Sequence, residues 1–538
     1  MHKKLWAAAA VVLLAAMAVG VPRGPASASS AAGDGWTGTW AASPWSTKGQ
    51  GKSFEDQTLR QIVRTSIGGS AARIQLSNAF GTDAVTISDV HVADRVSGPA
   101  VDPSTDRSVT FGGRTSVTIP AGGKAISDET VFEVKPLTDV AVSFHVPDRI
   151  TDPTAHLDSF QTNYVAAGNV AGDVTLTNFA TNASYTLLAN LDVRNSAAAG
   201  AVVTLGASIT DEYVSSFDQN RRWPNDLAVR LAATGRVIGV LNQGVSGNAV
   251  LDNGGGQSMV NRFTRDVLDQ PGVTWAAIAD APLNDLLGGN PPTGTQLTAA
   301  LTGMIGAAHA RGVRVLCATL TPFAGHERWT EAAETARAQY NAFVRGPGSD
   351  CDAVLDSDQA THDPADPRRF LPAFDIGDHL HPNNAGLQAI ADAVDLSIFG
   401  APTGPIVNPT TGIALRSRHN SKIVSADAAG EQPLIANRDA VGPWEEFDRV
   451  PQVDGTYVLR GHANGKYVTA SATQPLIASS TTAGIEQRFR FVANADGSVS
   501  LQSVASGRYV AAEDGGAQPL IANRDSIGPW ELFDVLPL

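Results

Sequence analysis

The chain has 538 residues, enough for three or four domains at about 150 residues each. Its 53 acidic against 39 basic residues give a formal charge of −14, which leaves no electrostatic reason to seek nucleic acid or anionic membranes. Two cysteines and eleven histidines form no Cys/His cluster, EF-hand spacing or phosphate loop, so neither metal nor cofactor is expected.

Lys3 and Lys4 precede the apolar run 5–21, and Ala26-Ser27-Ala28 offers a small-residue cleavage site. Residues 1–28 therefore read as a secretory signal peptide, and the protein as secreted and extracellular without a membrane anchor. Cleavage there would discard Lys3, Lys4 and Arg23 and no acid, moving the charge from −14 to −17.

From residue 36 to about 195 the pattern is short and β-branched. Runs at 61–67, 72–77, 84–92, 108–111, 116–119, 131–134 and 139–146 are punctuated by turns such as Gly68-Gly69 and Ala121-Gly122-Gly123. Such spacing without helical periods predicts an antiparallel β-sandwich of jelly-roll type.

The texture changes at residue 199. Strand signals at 202–205, 237–241, 274–280, 313–320 and 353–356 alternate with helical periods at 223–233, 295–310, 331–344 and 384–398. This alternation predicts a three-layer α/β/α domain over 199–399, built on a parallel sheet. Ser208, Gly244, Asn284 and Thr321 each follow a strand, so they should meet at its carboxyl edge, where such sheets hold their ligands. Cys317 lies inside one strand and Cys351 ahead of the next. An offset of several residues between neighbouring strands argues against a disulfide.

Residues 400–411 form a proline-containing linker. Beyond it Gln432-Pro433-Leu434-Ile435-Ala436 recurs at Gln474 and Gln518, at offsets of 42 and 44 residues. One all-β copy cannot bury its own apolar face, so 412–538 is expected to close as a three-fold β-trefoil. Asn437, Arg438, Asn523 and Arg524 are the candidate glycan contacts there. Trp444 and Trp530, at equivalent repeat positions, read as core.

The chemistry resides in three segments: Gly206-Ala207-Ser208-Ile209-Thr210-Asp211, Pro282-Leu283-Asn284-Asp285, and Asp378-His379-Leu380-His381-Pro382. A serine hydroxyl needs a base to take its proton, and the base needs a third group to fix its tautomer. Ser208, His381 and Asp378 fit those roles, because Asp-x-x-His places both side chains on one turn of backbone. Asp211, Glu212, Asp285 and His379 are neighbouring candidates for substrate contact. Glu212, Asp211 and Asp285 also read as loop and helix-cap carboxylates, and His379 as a wall residue.

With Gly38-Thr39-Trp40-Ala41-Ala42-Ser43-Pro44, Asn242-Gln243-Gly244-Val245-Ser246-Gly247-Asn248 and Gly377-Asp378-His379-Leu380-His381-Pro382-Asn383, residues 36–400 resemble actinobacterial secreted SGNH/GDSL-type hydrolases, whose catalytic domain is flavodoxin-like and follows a β-sandwich. The resemblance implies Ser208 as nucleophile, Asp378 and His381 as its partners, and Gly244 and Asn284 as oxyanion donors. The last 130 residues resemble a fascin-like trefoil. Two departures stand beside the oxyanion site: Ala207 where the family carries Asp, and Pro282 where it carries Gly.

The expected activity is hydrolysis of carboxylic esters, on an acylated carbohydrate or a small ester. Two rival readings fit the same residues. One is a glycosidase or transglycosylase using nearby carboxylates on the same fold; the other is a glycan-binding protein with a decayed site.

Overall fold

The computed structural model describes residues 35–211, 217–253, 256–404, 411–451, 456–494 and 496–537. The expected signal peptide at 1–28, Glu212 and residues 405–410 of the linker lie outside the described residues.

Two large antiparallel sheets and two small ones, a two-stranded and a three-stranded, occupy the N-terminal region among the described residues. A four-stranded sheet runs in the order Trp36–Ala41, Leu188–Arg194, Ala72–Ser77, Lys124–Ile126, and an eight-stranded one centres on Asp139–Val146 between Gln57–Arg64 and Val85–Ser97. Alternation along each strand sends Ile74, Leu76, Leu191 and Val193 of the first sheet and Leu59, Val63, Ile87 and Val140 of the second into one shared core. The strand expected at 131–134 forms only isolated bridges at Thr130 and Val134. Val131 between them is 77% exposed, so apolar character there does not mark a paired strand.

The central sheet is parallel throughout and five-stranded. Its order is Gly239–Gly244, Ala201–Gly206, Val273–Ile278, Arg314–Ala318, Ala353–Leu355. The near-continuous apolar strand Ala201–Gly206 is buried along its whole length, as a strand covered on both faces requires. Helix Trp223–Ala232 packs on Asn384–Asp392, and Gly294–His309 on Glu331–Arg345. The last helix is shorter than its sequence period suggests. It stops at Asp392, and Asp395 caps a separate 3₁₀ turn by accepting the Ser397 amide at 2.9 Å. The order 2-1-3-4-5 puts its topological switch between Ala201–Gly206 and Val273–Ile278, the strands that lead to Ser208 and Asn284.

The edge strand Gly239–Gly244 lies against Trp36–Ala41 of the N-terminal region. The approach is close enough that a Cβ on Gly239 would fall 2.1 Å from the Gly38 carbonyl oxygen, and one on Gly38 would strike Leu241. Gly38 N donates to the Pro271 carbonyl at 3.0 Å, and Val240 N to the Ser66 hydroxyl at 2.9 Å.

Cys317 and Cys351 are joined, with Cα atoms 5.9 Å apart, contrary to the register argument. Cys317 pairs with Val354 in the ladder, but Cys351 lies ahead of the paired stretch and does not follow its register. There the chain bends across its neighbour and is tied by Asp352 N to the Val315 carbonyl at 2.9 Å.

The C-terminal segment is one twelve-stranded antiparallel sheet of three four-strand copies, with the first strand, Thr411–Ser417, paired to the last, Phe533–Pro537. Leu434 N donates to the Leu476 carbonyl and Leu476 N to the Leu520 carbonyl, each at 2.8 Å, tying the repeated leucines together. Phe447, Phe489 and Phe533 fill the core; Trp444 and Trp530 do not. Trp444 is 39% exposed and Trp530 half-buried, which reverses their reading as core.

Candidate active site

Ser208 begins a four-residue helix directly after Ala201–Gly206. Its Oγ lies 2.9 Å from His381 Nε2, and His381 Nδ1 lies 2.6 Å from Asp378 Oδ2. The other Asp378 oxygen accepts the amides of Leu380 at 3.0 Å and His381 at 2.9 Å. Asp378 is thus held by its own turn, with His381 Nδ1–H as donor and Nε2 left to accept from the serine. Burial pushes the Asp378 carboxyl up, but the bonds from the His381 ring and the two amides outweigh it and hold the group below the usual carboxylate range. Ser208 and His381 are each 9% exposed. Positions 173 residues apart meet within proton-transfer reach.

Asn284 sits on the short helix Pro282–Leu286, where Pro282 occupies a first-turn position that needs no amide. Its Nδ2 donates to the Asn248 carbonyl at 2.8 Å, which sets it beside the 245–248 loop with a second N–H to spare. Gly244 departs from expectation: its amide donates to Asn242 Oδ1 at 2.8 Å. Its glycine serves packing, since a Cβ there would fall 2.4 Å from Asp211 N. Among the described residues, the amides of Ser208 and Gly247 have no protein acceptor. Gly247 is exposed, at φ +75°, between Ser246, bonded to Asp211, and Asn248, bonded to Asn284. The Gly244 amide is thus engaged, and the Gly247 amide, three residues on in the same loop, is not.

The turn around Ser208 is braced by Asp280, which follows Val273–Ile278. Asp280 Oδ2 accepts the amides of Ala207 at 3.1 Å and Ile209 at 3.0 Å, and Oδ1 accepts the Thr210 hydroxyl. Ala207 therefore does not leave the turn unsupported: a carboxylate on the next strand supports it. Arg262, 1% exposed, ties the strand ends together. It donates to the carbonyls of Gly206 at 2.9 Å and Gln243 at 2.7 Å, and to Asn248 Oδ1 at 2.9 Å, against Asp266 at 3.1 Å. Asp280 could have been suspected from its place at a strand end. Arg262 lies in a helical turn, continued by a π-helical one, that the apolar pattern did not mark.

The neighbouring carboxylates are not free. Asp211 is 3% exposed and paired with His156 Nε2 at 2.9 Å. Asp285 accepts the amides of Val250 at 2.7 Å and Leu251 at 3.0 Å. Asp211 is buried and Asp285 half-buried, and both are engaged within the protein. His379, at φ +63°, gives Nδ1 to Asp375 Oδ2 at 2.6 Å and keeps a half-exposed ring on the wall. In the C-terminal segment, Arg438 pairs with Asp427 and Glu445, and Arg524 with Glu513 and Glu531. Asn437 and Asn523 donate to Asp427 and Glu513 at 3.3 Å each. These four candidates for glycan contact are half-buried and engaged within their own repeats. Among the described residues no group of three or more His, Cys, Asp or Glu is placed to hold a metal ion, and no helix is long and apolar enough to cross a membrane.

Residues 204–389 match the GDSL-like Lipase/Acylhydrolase family, so this part of the chain is a GDSL-like hydrolase domain. No curated protein matches the chain. Among solved structures, a protein assigned to the G-D-S-L lipolytic family from Desulfitobacterium hafniense DCB-2 is 19% identical, with 36% of this chain and 97% of that one covered and a TM-score of 0.28. A GDSL-like lipase from Bacteroides thetaiotaomicron VPI-5482 is 15% identical, with 36% and 85% covered and a TM-score of 0.27. The designed three-fold symmetric protein ThreeFoil is 22% identical, with 24% and 99% covered and a TM-score of 0.23.

Proposed function

We propose that the protein is a secreted serine esterase that removes acyl groups from a carbohydrate. The observation that carries the reading is the continuous relay from Ser208 Oγ through His381 to Asp378 at the carboxyl edge of the sheet. Ser208 Oγ attacks the acyl carbon while His381 Nε2 takes its proton and Asp378 steadies the imidazolium. The tetrahedral oxyanion is received by the amides of Ser208 and Gly247 and by Asn284 Nδ2. His381 then protonates the departing alkoxide, leaving an acyl-Ser208, and a water activated by the same imidazole releases the acid.

Glycoside cleavage is disfavoured because Asp211 and Asp285, two of the carboxylates it could recruit, are already engaged. The carbohydrate preference rests on the three-copy C-terminal segment, which we read as a β-trefoil. Its surface Trp444 and half-buried Trp530 are better placed to stack on sugar rings than the engaged Asn–Arg pairs.

A fluorophosphonate probe should label Ser208 alone, as read by peptide mapping, and Ser208→Ala should lose at least about 1000-fold in p-nitrophenyl acetate turnover. Label on another residue, or full turnover in the alanine variant, would refute the assignment.

A further inference from the structure

The loop that carries Gly247 is held by a chain of contacts that begins outside the catalytic sheet. Asp211, the last residue of the Ser208 helix, divides its oxygens between two partners. Oδ2 accepts the Ser246 amide at 2.7 Å and the Ser246 hydroxyl at 3.0 Å. Oδ1 lies 2.9 Å from Nε2 of His156, which ends the strand Thr154–His156 of the N-terminal region. The other ring nitrogen of His156 lies 3.1 Å from the Ser43 carbonyl. A carbonyl and a carboxylate can only accept, so both ring nitrogens must donate, and His156 is held as an imidazolium. It is 7% exposed and its ring stacks on Tyr185 at 6.3 Å.

We propose that His156 is a positioning residue for ester hydrolysis: through Asp211 it fixes the Ser246–Gly247 peptide, so the N-terminal region completes the oxyanion site. The proposal rests on the serine-esterase reading above. It gives the N-terminal region a part in the chemical step, distinct from any part in binding substrate.

The charges facing His156 are Asp211 and, farther off, Asp158 on the acidic side, and Arg222 on the basic side, with Lys52 near Asp158. Burial opposes the imidazolium and Arg222 repels it, yet Asp211, through its charge and hydrogen bond, holds the ring above the ordinary histidine value. A group raised in this way supports the folded arrangement fully below its ordinary value of about 6.5, and that support is lost as pH rises through the raised one. Above that point Asp211 is a buried carboxylate with no cation at Oδ1, and the Ser246 contact slackens. Turnover should therefore decline on the alkaline side.

His156→Gln keeps a donor toward Asp211 but removes the charge and the titration. The folded variant, verified by near-ultraviolet circular dichroism, should lose about 10- to 100-fold in kcat on p-nitrophenyl acetate, with KM within about two-fold. Its alkaline decline should disappear. A folded variant with wild-type kcat, a loss confined to KM, or an unchanged alkaline decline would overturn the proposal. If the variant does not fold, the wild-type profile decides: kcat that shows no decline anywhere above the ordinary histidine value of about 6.5 overturns it, and an alkaline decline above that value supports it. Wild-type protein with neither turnover nor label at Ser208 would instead refute the esterase reading, which separates the two failures.

Discussion

Replacing Asp280 by alanine tests whether the nucleophile is held by a carboxylate from the neighbouring strand. The side chain is 6% exposed and satisfies three donors, the Ala207 and Ile209 amides and the Thr210 hydroxyl. Each buried donor stranded by the change costs about 1–3 kcal/mol. Part of that is offset because burial already strains this carboxyl, pushing its pKa up despite the three bonds. A net loss of about 3 kcal/mol in folding stability is expected, with an unchanged denaturant slope in urea unfolding. Both amides flank Ser208, so the hydroxyl should drift from His381 and kcat for p-nitrophenyl acetate should fall about 100-fold. Asp280→Asn, which keeps an acceptor but turns an NH₂ toward one donor, should land between the two. An alanine variant within about 0.5 kcal/mol and two-fold of wild type would refute the brace.

Asn284→Ala should cost about 100- to 1000-fold in kcat with little change in stability; a loss confined to KM would remove Asn284 from the oxyanion site. Asp226 is pushed up to about 7 from 3.8, by burial first and by Asp392 second, against Arg221. Its folded value lies above its unfolded one, so stability should fall as pH rises from about 4 to 7 and level off beyond, by at most about 4 kcal/mol. Asp226→Asn should flatten that slope and raise Tm at about pH 8, and an identical slope in the variant would sink the argument. Replacing Cys317 and Cys351 by serine opens a loop spanning 34 residues. About 2–4 kcal/mol of stability should go with it while kcat stays within about two-fold, as checked by urea unfolding and turnover.

What the sequence discloses here follows from local chemistry. The alternation that marks Ala201–Gly206 and Glu331–Arg345 is a property of each segment, and so is the Asp-x-x-His turn that joins Asp378 to His381. Ser208, Asn284 and the two turn residues could therefore be placed before any coordinates. That the Gly244 amide is engaged could not, because it depends on which amide the Asn242 side chain captures. His156 carries no local mark at all, since its partner is 55 residues away, on the short helix that follows the first strand of the parallel sheet. The disulfide forms against the register argument because strand register does not extend to the bend before a strand. The engaged state of Arg438 and Arg524 likewise depends on carboxylates about ten residues off, brought round by hairpins that sequence position alone does not orient.

The glycine-on-glycine contact between positions 38 and 239 bears on how this protein can be cut or grafted. A fragment starting at residue 199 would uncover the flank of Gly239–Gly244, presenting unprotected backbone and the Leu241 side chain to other molecules in solution. Transplanting the hydrolase segment into a new host thus calls for carrying its N-terminal companion along, or for redesigning that flank first.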